Sequence, residues 1–447
     1  MGEFTSFCKR IVSTTIPVQP GKKIQLSSLD LLMENQHLKM VIYYKTPKLG
    51  LPIGELTTKF RILLAEVLSY FPTITGRFVK NDEDNWMIKC NDAGVRMVEA
   101  IAKGSVESWL ENVDEEKEKK LIHWEDWYHI PYYWATFYIM VTEFEEGGMA
   151  IGLSCSHLLA DPFSATLLVK AWADRVLRGN IFIPPFFHPL PKIKLGLQKA
   201  HNQPNEHLIN HYKSLIEGPS PSKAHHSKTV ALLFTDHMVQ ACMDLTDLNG
   251  LNNGSDPSPF AVLVGLLWVC ISRVKGETNG LVDMSMGLDV RKVLELDQGY
   301  FGNCMIYTKV NGDDIGGDDQ QLATQVIGEA IRKVNKEGII DLIEWLDHYN
   351  NFSPISSLDK GSLVFLNLET VDPYSAVFVE GYEPFKISYY NESAILNKGK
   401  VLVLPSHPSE GKLSRLAIVT LPHNEAIELC EDKLLASFSP KIIMGAK

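Results

Sequence analysis

The sequence predicts an α/β protein of two domains, each a mixed sheet with helices packed on it, and a ligand channel between them. Three observations carry this. At 447 residues the chain is too long for one ordinary domain. Short apolar runs with the spacing of strands are interleaved with segments of helical period. From Pro184 to about Lys228 that pattern fades, in a stretch with seven prolines and six histidines. Such a stretch reads as a long crossover loop. The expected parts are therefore 1–183, a crossover at 184–228, and 229–447.

In the first part, Val41–Tyr44 reads as a strand. Glu55–Phe71 reads as a helix, with Leu63, Leu64, Val67 and Leu68 on its apolar face and Pro72 at its stop. Pro72–Arg77 is a turn into a strand, and Trp86–Cys90 is another strand. Thr136–Phe144 is an apolar strand. Glu145–Gly148 is a hairpin turn into a strand carrying Met149, Ile151, Leu153 and Cys155. Ala165–Gly179 then reads as a helix, with Leu168, Val169, Trp172 and Val176 on one face and Gly179 at the stop. In the last part, Pro257–Val274 and Thr324–Lys336 read as helices. Leu281–Leu288, Gly361–Leu368, Lys400–Pro405 and Leu413–Leu421 read as strands.

Composition narrows the function. The charge is 43 minus 54, or −11, which argues against a nucleic-acid backbone as partner. The seven cysteines (8, 90, 155, 242, 270, 304 and 430) are scattered with no C-x-x-C pair, which reads as reduced thiols in a cytosolic setting. The histidines at 188, 201, 207, 211, 225 and 226 are irregularly spaced, so a solvated loop is expected there and no metal site. Met1–Gln19 lacks the apolar core of a secretory signal. Met1-Gly2 with Ser6 has the outline of a myristoylation site, a short and common pattern. The longest apolar run, Phe260–Ile271, is too short to span a bilayer and reads as a buried helix around Trp268. The stretch Glu111–Lys120 reads as a solvated helix face or loop. The aromatic stretch containing Trp124, Trp127, Tyr128, Tyr132, Tyr133 and Trp134 suits packing between domains or the lining of an apolar channel. Asp82 and Asp84 read as a turn.

The chemistry concentrates at His157-Leu-Leu-Ala-Asp161, between a strand and a helix. A His at a strand end is held by a rigid element yet can face a cleft. An Asp four residues on is near enough to fix the ring, the minimum for a neutral general base. Taken alone, this spacing also arises by chance around a His that bonds a nearby carbonyl. Cys155 lies two residues earlier; a Cys–His nucleophile and a small packing residue are both open there, and the second is expected.

Five segments in order resemble the BAHD acyltransferase superfamily of plants. Leu26-Ser-Ser-Leu-Asp30 resembles its L-S-x-x-D, and Phe71-Pro-Thr-Ile-Thr-Gly-Arg77 its Y-P-x-A-G-R. His157–Asp161 is similar to its H-x-x-x-D. Asp289-Val-Arg291 and Gly299-Tyr-Phe-Gly-Asn303 resemble its D-x-R and G-Y-F-G-N. The resemblance implies two chloramphenicol-acetyltransferase-like domains with mixed sheets, joined by a long crossover loop, with a channel between them. It implies that His157 deprotonates an alcohol or amine, which attacks the thioester of an acyl-CoA. Help of this kind is worth ~10²–10⁴-fold in rate. Asp161 would orient the imidazole and support the fold. No bound cofactor is implied, and acyl-CoA is the substrate. An acidic chain can still hold that anion through a local Lys/Arg patch.

The family's second signature, D-F-G-W-G, is replaced here by Tyr374-Ser-Ala-Val-Phe-Val-Glu-Gly-Tyr-Glu-Pro384. Phe378, Gly381 and Pro384 align with it, Val377 stands where the Asp is expected and Glu380 where the Trp is. The resemblance implies that Asp289, Arg291, Phe378 and Gly381 shape the channel. It also implies that Arg291 has lost its acidic partner and needs another acceptor, with Glu380 one substitute. Asn367 stands near where active members carry a residue that helps the oxyanion. With Ile88–Ala100, Ile151–Ala165 and Val364–Glu369, this departure resembles the eceriferum/glossy wax branch. That branch implies promotion of very-long-chain acyl-CoA elongation for cuticular wax, with a membrane-bound elongase condensing enzyme as partner and without standard catalysis. An active O- or N-acyltransferase is the alternative. A monomer is expected, cytoplasmic or peripheral at the endoplasmic reticulum through its partner.

Overall fold

Large and small side chains alternate along the strand that leads to His157. The computed structural model describes residues 3–445 apart from 20, 35, 47–53, 83, 126–133, 192–205, 218–225, 248–256, 314, 318, 350–362 and 394–398. Strand Met149–Ser156 is buried at every position. Its apolar alternation therefore does not mark a half-exposed strand. Met149, Ile151, Leu153 and Cys155 share one face. Ala150, Gly152, Ser154 and Ser156 share the other, where a second stretch of chain lies close. A Cβ at Gly152 would sit 1.9 Å from the carbonyl oxygen of Leu121. Ser154 Oγ donates to the carbonyl of His123 at 2.5 Å.

The chain forms two units, and neither is one continuous stretch. The first takes Met1–Pro189, Asp297–Asn303 and Asp372–Glu392. The second takes Leu190–Leu296, Cys304–Val371 and Ser393–Lys447. In the first, a six-stranded sheet runs Phe4–Val12, Val95–Ala102, Phe137–Phe144, Met149–Ser156, Gln36–Tyr44, Pro384–Ser393. Val95–Ala102 and Phe137–Phe144 pair parallel, whereas Met149–Ser156 is antiparallel to both neighbours, so the sheet is mixed. Lys23–Gln25, Trp86–Lys89 and Arg77–Lys80 form a small second sheet.

The seven-stranded sheet of the second unit runs Met305–Val310, Met284–Asp289, Leu363–Asn367, Lys400–Pro405, Arg415–Pro422, Ser227–Phe234, Lys441–Met444. It too is mixed, with Met284–Asp289, Leu363–Asn367 and Lys400–Pro405 parallel. Its core is dominated by helix Pro259–Val274, buried around Trp268, whose Nε1 donates to the carbonyl of Val282 at 2.7 Å. Among the described residues, no helix is long and apolar enough to cross a membrane.

Two expectations are corrected. The crossover contains a helix, Glu206–Glu217. Its buried face is Leu208, His211, Tyr212 and Leu215, the i, i+3, i+4, i+7 stripe of a helix, half of it polar and so hidden from an apolar count. Tyr212 OH accepts from the amide of Tyr307 at 2.9 Å, and His211 Nε2 lies 3.0 Å from Ser285 Oγ. The acidic stretch is not wholly solvated either. Glu118, on helix Glu115–Lys119, is fully buried. It accepts from Tyr43 OH at 3.0 Å and from Tyr390 OH, and pairs with Lys386 Nζ at 2.9 Å. A buried carboxylate is tolerated because three donors compensate its lost hydration. Of the aromatic stretch, Trp124 packs on His37 and Tyr138; residues 126–133 lie outside the described residues.

Two predictions follow from this packing. Gly152→Val should destabilise the first unit by at least ~2 kcal/mol, because backbone cannot yield as a side chain does; thermal denaturation reads this. His211 is lowered from 6.5 to about 4, first by burial and then by the charges of Lys309 and His207. The unfolded chain therefore takes up this proton first. Its contribution, up to ~3 kcal/mol, is whole above about pH 6.5 and is lost as pH falls toward 4. Denaturation of wild type and His211→Gln across that window should show the steeper acid loss in wild type.

Candidate active site

The site is built on Asn303, which ends the Gly299–Asn303 segment. Its side chain is fully buried. Nδ2 donates to Asp30 Oδ1 at 2.7 Å and to the main-chain oxygen of His157 at 2.7 Å. Both amide hydrogens are then committed, so Oδ1 is the atom that meets His157 Nδ1, at 2.8 Å. An amide oxygen only accepts, so the ring proton sits on Nδ1 and Nε2 keeps the lone pair. That is the tautomer a general base at Nε2 requires.

His157 is held along its backbone as well, since its N–H donates to Gln36 O at 2.9 Å. Asp161 serves the next element. It is the N-cap of helix Pro162–Arg178, and its carboxylate accepts from the amide of Ser164 at 2.9 Å. Pro162 occupies the first turn, where its missing N–H costs nothing, and Gly179 closes the helix at φ 75°. The helix thus begins before Ala165, at a cap whose Asp-Pro pair also reads as chemistry. Ser164 Oγ donates to the carbonyl of Gly302 at 3.0 Å and accepts its N–H at 3.1 Å. Asp161 therefore acts on the site through the helix start that grips Gly302, next to Asn303. Gly302 has φ 151°, a conformation that favours glycine.

The remaining motif residues pack around the same segment or are held within their own unit. Phe301 meets Phe71 and Phe187, each with ring centroids 5.4 Å away. Segment 184–187 runs beside Gly299–Phe301, with Phe186 N–H donating to Gly299 O at 2.7 Å and Phe301 N–H to Phe186 O at 2.9 Å. A Cβ at Gly299 would lie 1.9 Å from Pro184 O. Phe378 is buried against Phe60, Trp172 and Tyr44, with centroids 4.9, 4.8 and 5.7 Å away. Gly381, at φ 77°, turns the chain between Val379 and Tyr382. The degenerate second signature is thus an aromatic anchor in the first unit.

Asp289 and Arg291 lie in the second unit. Arg291 is buried, and its Nη1 donates to Asp289 Oδ1 at 3.0 Å. Arg291 was expected to need another acceptor in place of the signature's acid, and Asp289 of its own D-x-R motif is one, whereas Glu380 was the substitute named. Asp289 Oδ2 also accepts from Thr370 Oγ1 at 2.9 Å. Glu380 is exposed. Asn367 Oδ1 accepts from the amide of Glu369 at 3.0 Å, closing a local turn.

Burial pushes the Cys155 thiol far up, and the charge of Asp161 adds to it. A thiol so placed is not an activated nucleophile. Among the described residues no group of three His, Cys, Asp or Glu is placed to hold a metal ion. In the native protein, Cys155 should react with iodoacetamide at pH 8 more than ~100-fold slower than an unfolded thiol; peptide mapping after timed labelling reads this.

Sequence reasoning named His157 and Asp161 and placed Asn303 in a motif without giving it a role. No local pattern joins residue 303 to residue 157. The signal was the order of motifs along the chain. The Transferase family model matches residues 4–433. Protein ECERIFERUM 26-like of Arabidopsis thaliana is 27% identical over 439 residues, covering 95% of this chain and 94% of that one. A hydroxycinnamoyltransferase of Narcissus pseudonarcissus is 24% identical over 88% of this chain and 92% of its own. The crystal structure of vinorine synthase superposes with TM-score 0.73 at 18% identity, covering 99% of each chain, a likeness of fold. The chain therefore belongs to the Transferase family, the BAHD acyltransferases, and resembles its eceriferum branch.

Proposed function

We propose that this protein promotes elongation of very-long-chain acyl-CoAs for cuticular wax, working with a membrane-bound elongase condensing enzyme rather than by standard acyl transfer. The observation that carries this reading is the rebuilt second signature. Val377 replaces the expected acid, Phe378 is an aromatic anchor, and Asn367 spends its carboxamide oxygen on its own turn. Likeness to an eceriferum protein along 95% of the chain supports it. On this reading acyl-CoA is the shared ligand, and the protein is cytoplasmic, reaching the endoplasmic reticulum through its partner.

A second reading is favoured by one specific observation. Asn303 holds His157 in the tautomer that leaves Nε2 basic. On this reading Nε2 takes the proton of an alcohol or amine, the nucleophile attacks the acyl-CoA carbonyl, and the tetrahedral intermediate expels CoA thiolate.

The two part on His157. Yeast expressing a plant elongase condensing enzyme, with wild type or His157→Ala added, should yield longer acyl chains than the condensing enzyme alone in both cases. Extension by wild type only, with an abundant folded variant, would transfer the function to acyl-transfer chemistry. No extension by either would remove the elongation reading.

A further inference from the structure

We infer that Asp30 is a positioning residue that sets the tautomer of His157 through Asn303. The inference rests on the second reading, in which His157 is a base, and names what prepares that base.

The argument begins at the short helix Ser28–Leu31, whose capping box joins Ser27 and Asp30. Asp30 Oδ2 accepts from Ser27 N at 2.8 Å and from Ser27 Oγ at 2.7 Å. The carboxyl is buried, and its other oxygen accepts from Asn303 N at 2.9 Å and from Asn303 Nδ2 at 2.7 Å. One carboxylate oxygen thus engages both N–H groups of a single asparagine, one on the main chain and one on the side chain.

This pair of contacts decides which way the carboxamide points. A carboxylate oxygen only accepts, so it selects the NH₂ end of Asn303 and turns the oxygen end to His157. If the amide were reversed, its oxygen would face the carboxylate and the carbonyl of His157, and its NH₂ would face Nδ1. The ring would then carry its proton on Nε2 and be useless as a base there. Burial raises the Asp30 carboxyl, and its hydrogen bonds to Ser27 and Asn303 pull it down. Burial is the larger effect and leaves the carboxyl above its ordinary value; each oxygen nonetheless meets a main-chain N–H, of Asn303 or of Ser27, which only donates, and this keeps the selection one-sided.

The test reads the ring by ¹⁵N nuclear magnetic resonance in purified full-length protein, with no acyl substrate. The resonance is assigned by its loss in His157→Gln. Wild type should show a protonated Nδ1 and an unprotonated Nε2; a protonated Nε2 in neutral ring overturns the proposal. In Asp30→Ala, which leaves only the main-chain oxygen of His157 to select the NH₂ end, the Nδ1–H share should fall measurably below that of wild type. In Asp30→Asn, which still offers Asn303 an oxygen, the Nδ1–H form should remain the majority. If the Ala variant does not fold, Asp30→Ser is read the same way, since its hydroxyl is too short to reach Asn303. A folded Ala or Ser variant that keeps the wild-type tautomer would also overturn the proposal. Because no elongation or transfer is measured, failure here is distinct from failure of either functional reading.

Discussion

The carboxamide of Asn303 is the interaction on which the site depends. It has two donors and one acceptor, and each is used. The donors reach Asp30 and the backbone of His157, and the acceptor reaches the ring of His157. Residues 30, 157 and 303 are distant in sequence, so no local structure brings them together. Inside a protein an unmet amide hydrogen costs ~1–3 kcal/mol, so the three contacts form or fail together. A buried carboxamide with every polar atom engaged specifies one arrangement.

The surrounding packing exists to deliver Asn303 to that position. Asp161 starts a helix, and Ser164 in its first turn holds both polar groups of Gly302. Phe301 is wedged between Phe71 and Phe187. Segment 184–187 pairs with Gly299–Phe301 so closely that no side chain fits at Gly299. Four of the five family-like segments therefore meet in one unit, around five residues. The fifth, Asp289-Val-Arg291, lies in the other unit and contains its own ion pair. In the altered second signature, Phe378 is held by Phe60, Trp172 and Tyr44 within the same unit.

The α/β class, most named strands and helices and the His157 motif were legible because strands and helices advertise their period. Helix Glu206–Glu217 was not, because His211 and Tyr212 fill two of its four buried positions. Strand Phe4–Val12 was not, because it lies at a sheet edge and is mostly exposed, with no alternation to see. Glu118 was hidden among neighbours that do face water; only the folded chain brings Tyr43, Tyr390 and Lys386 to it. At the site, Asp161 was legible as a partner of His157 by proximity in sequence. The hydrogen bond at the ring's Nδ1 comes from residue 303, which proximity in sequence cannot reveal. Arg291 was expected to need another acceptor, and its neighbour Asp289 is one.

The most direct measurement is hydrogen exchange at the main-chain amide of Asn303, which donates to Asp30. If the network is the point around which the first unit closes, this amide exchanges only when the whole unit unfolds. Its protection should then equal that of the central strand Met149–Ser156. Exchange many-fold faster than that strand, with the strand still protected, would show a segment that opens by itself and would contradict the account.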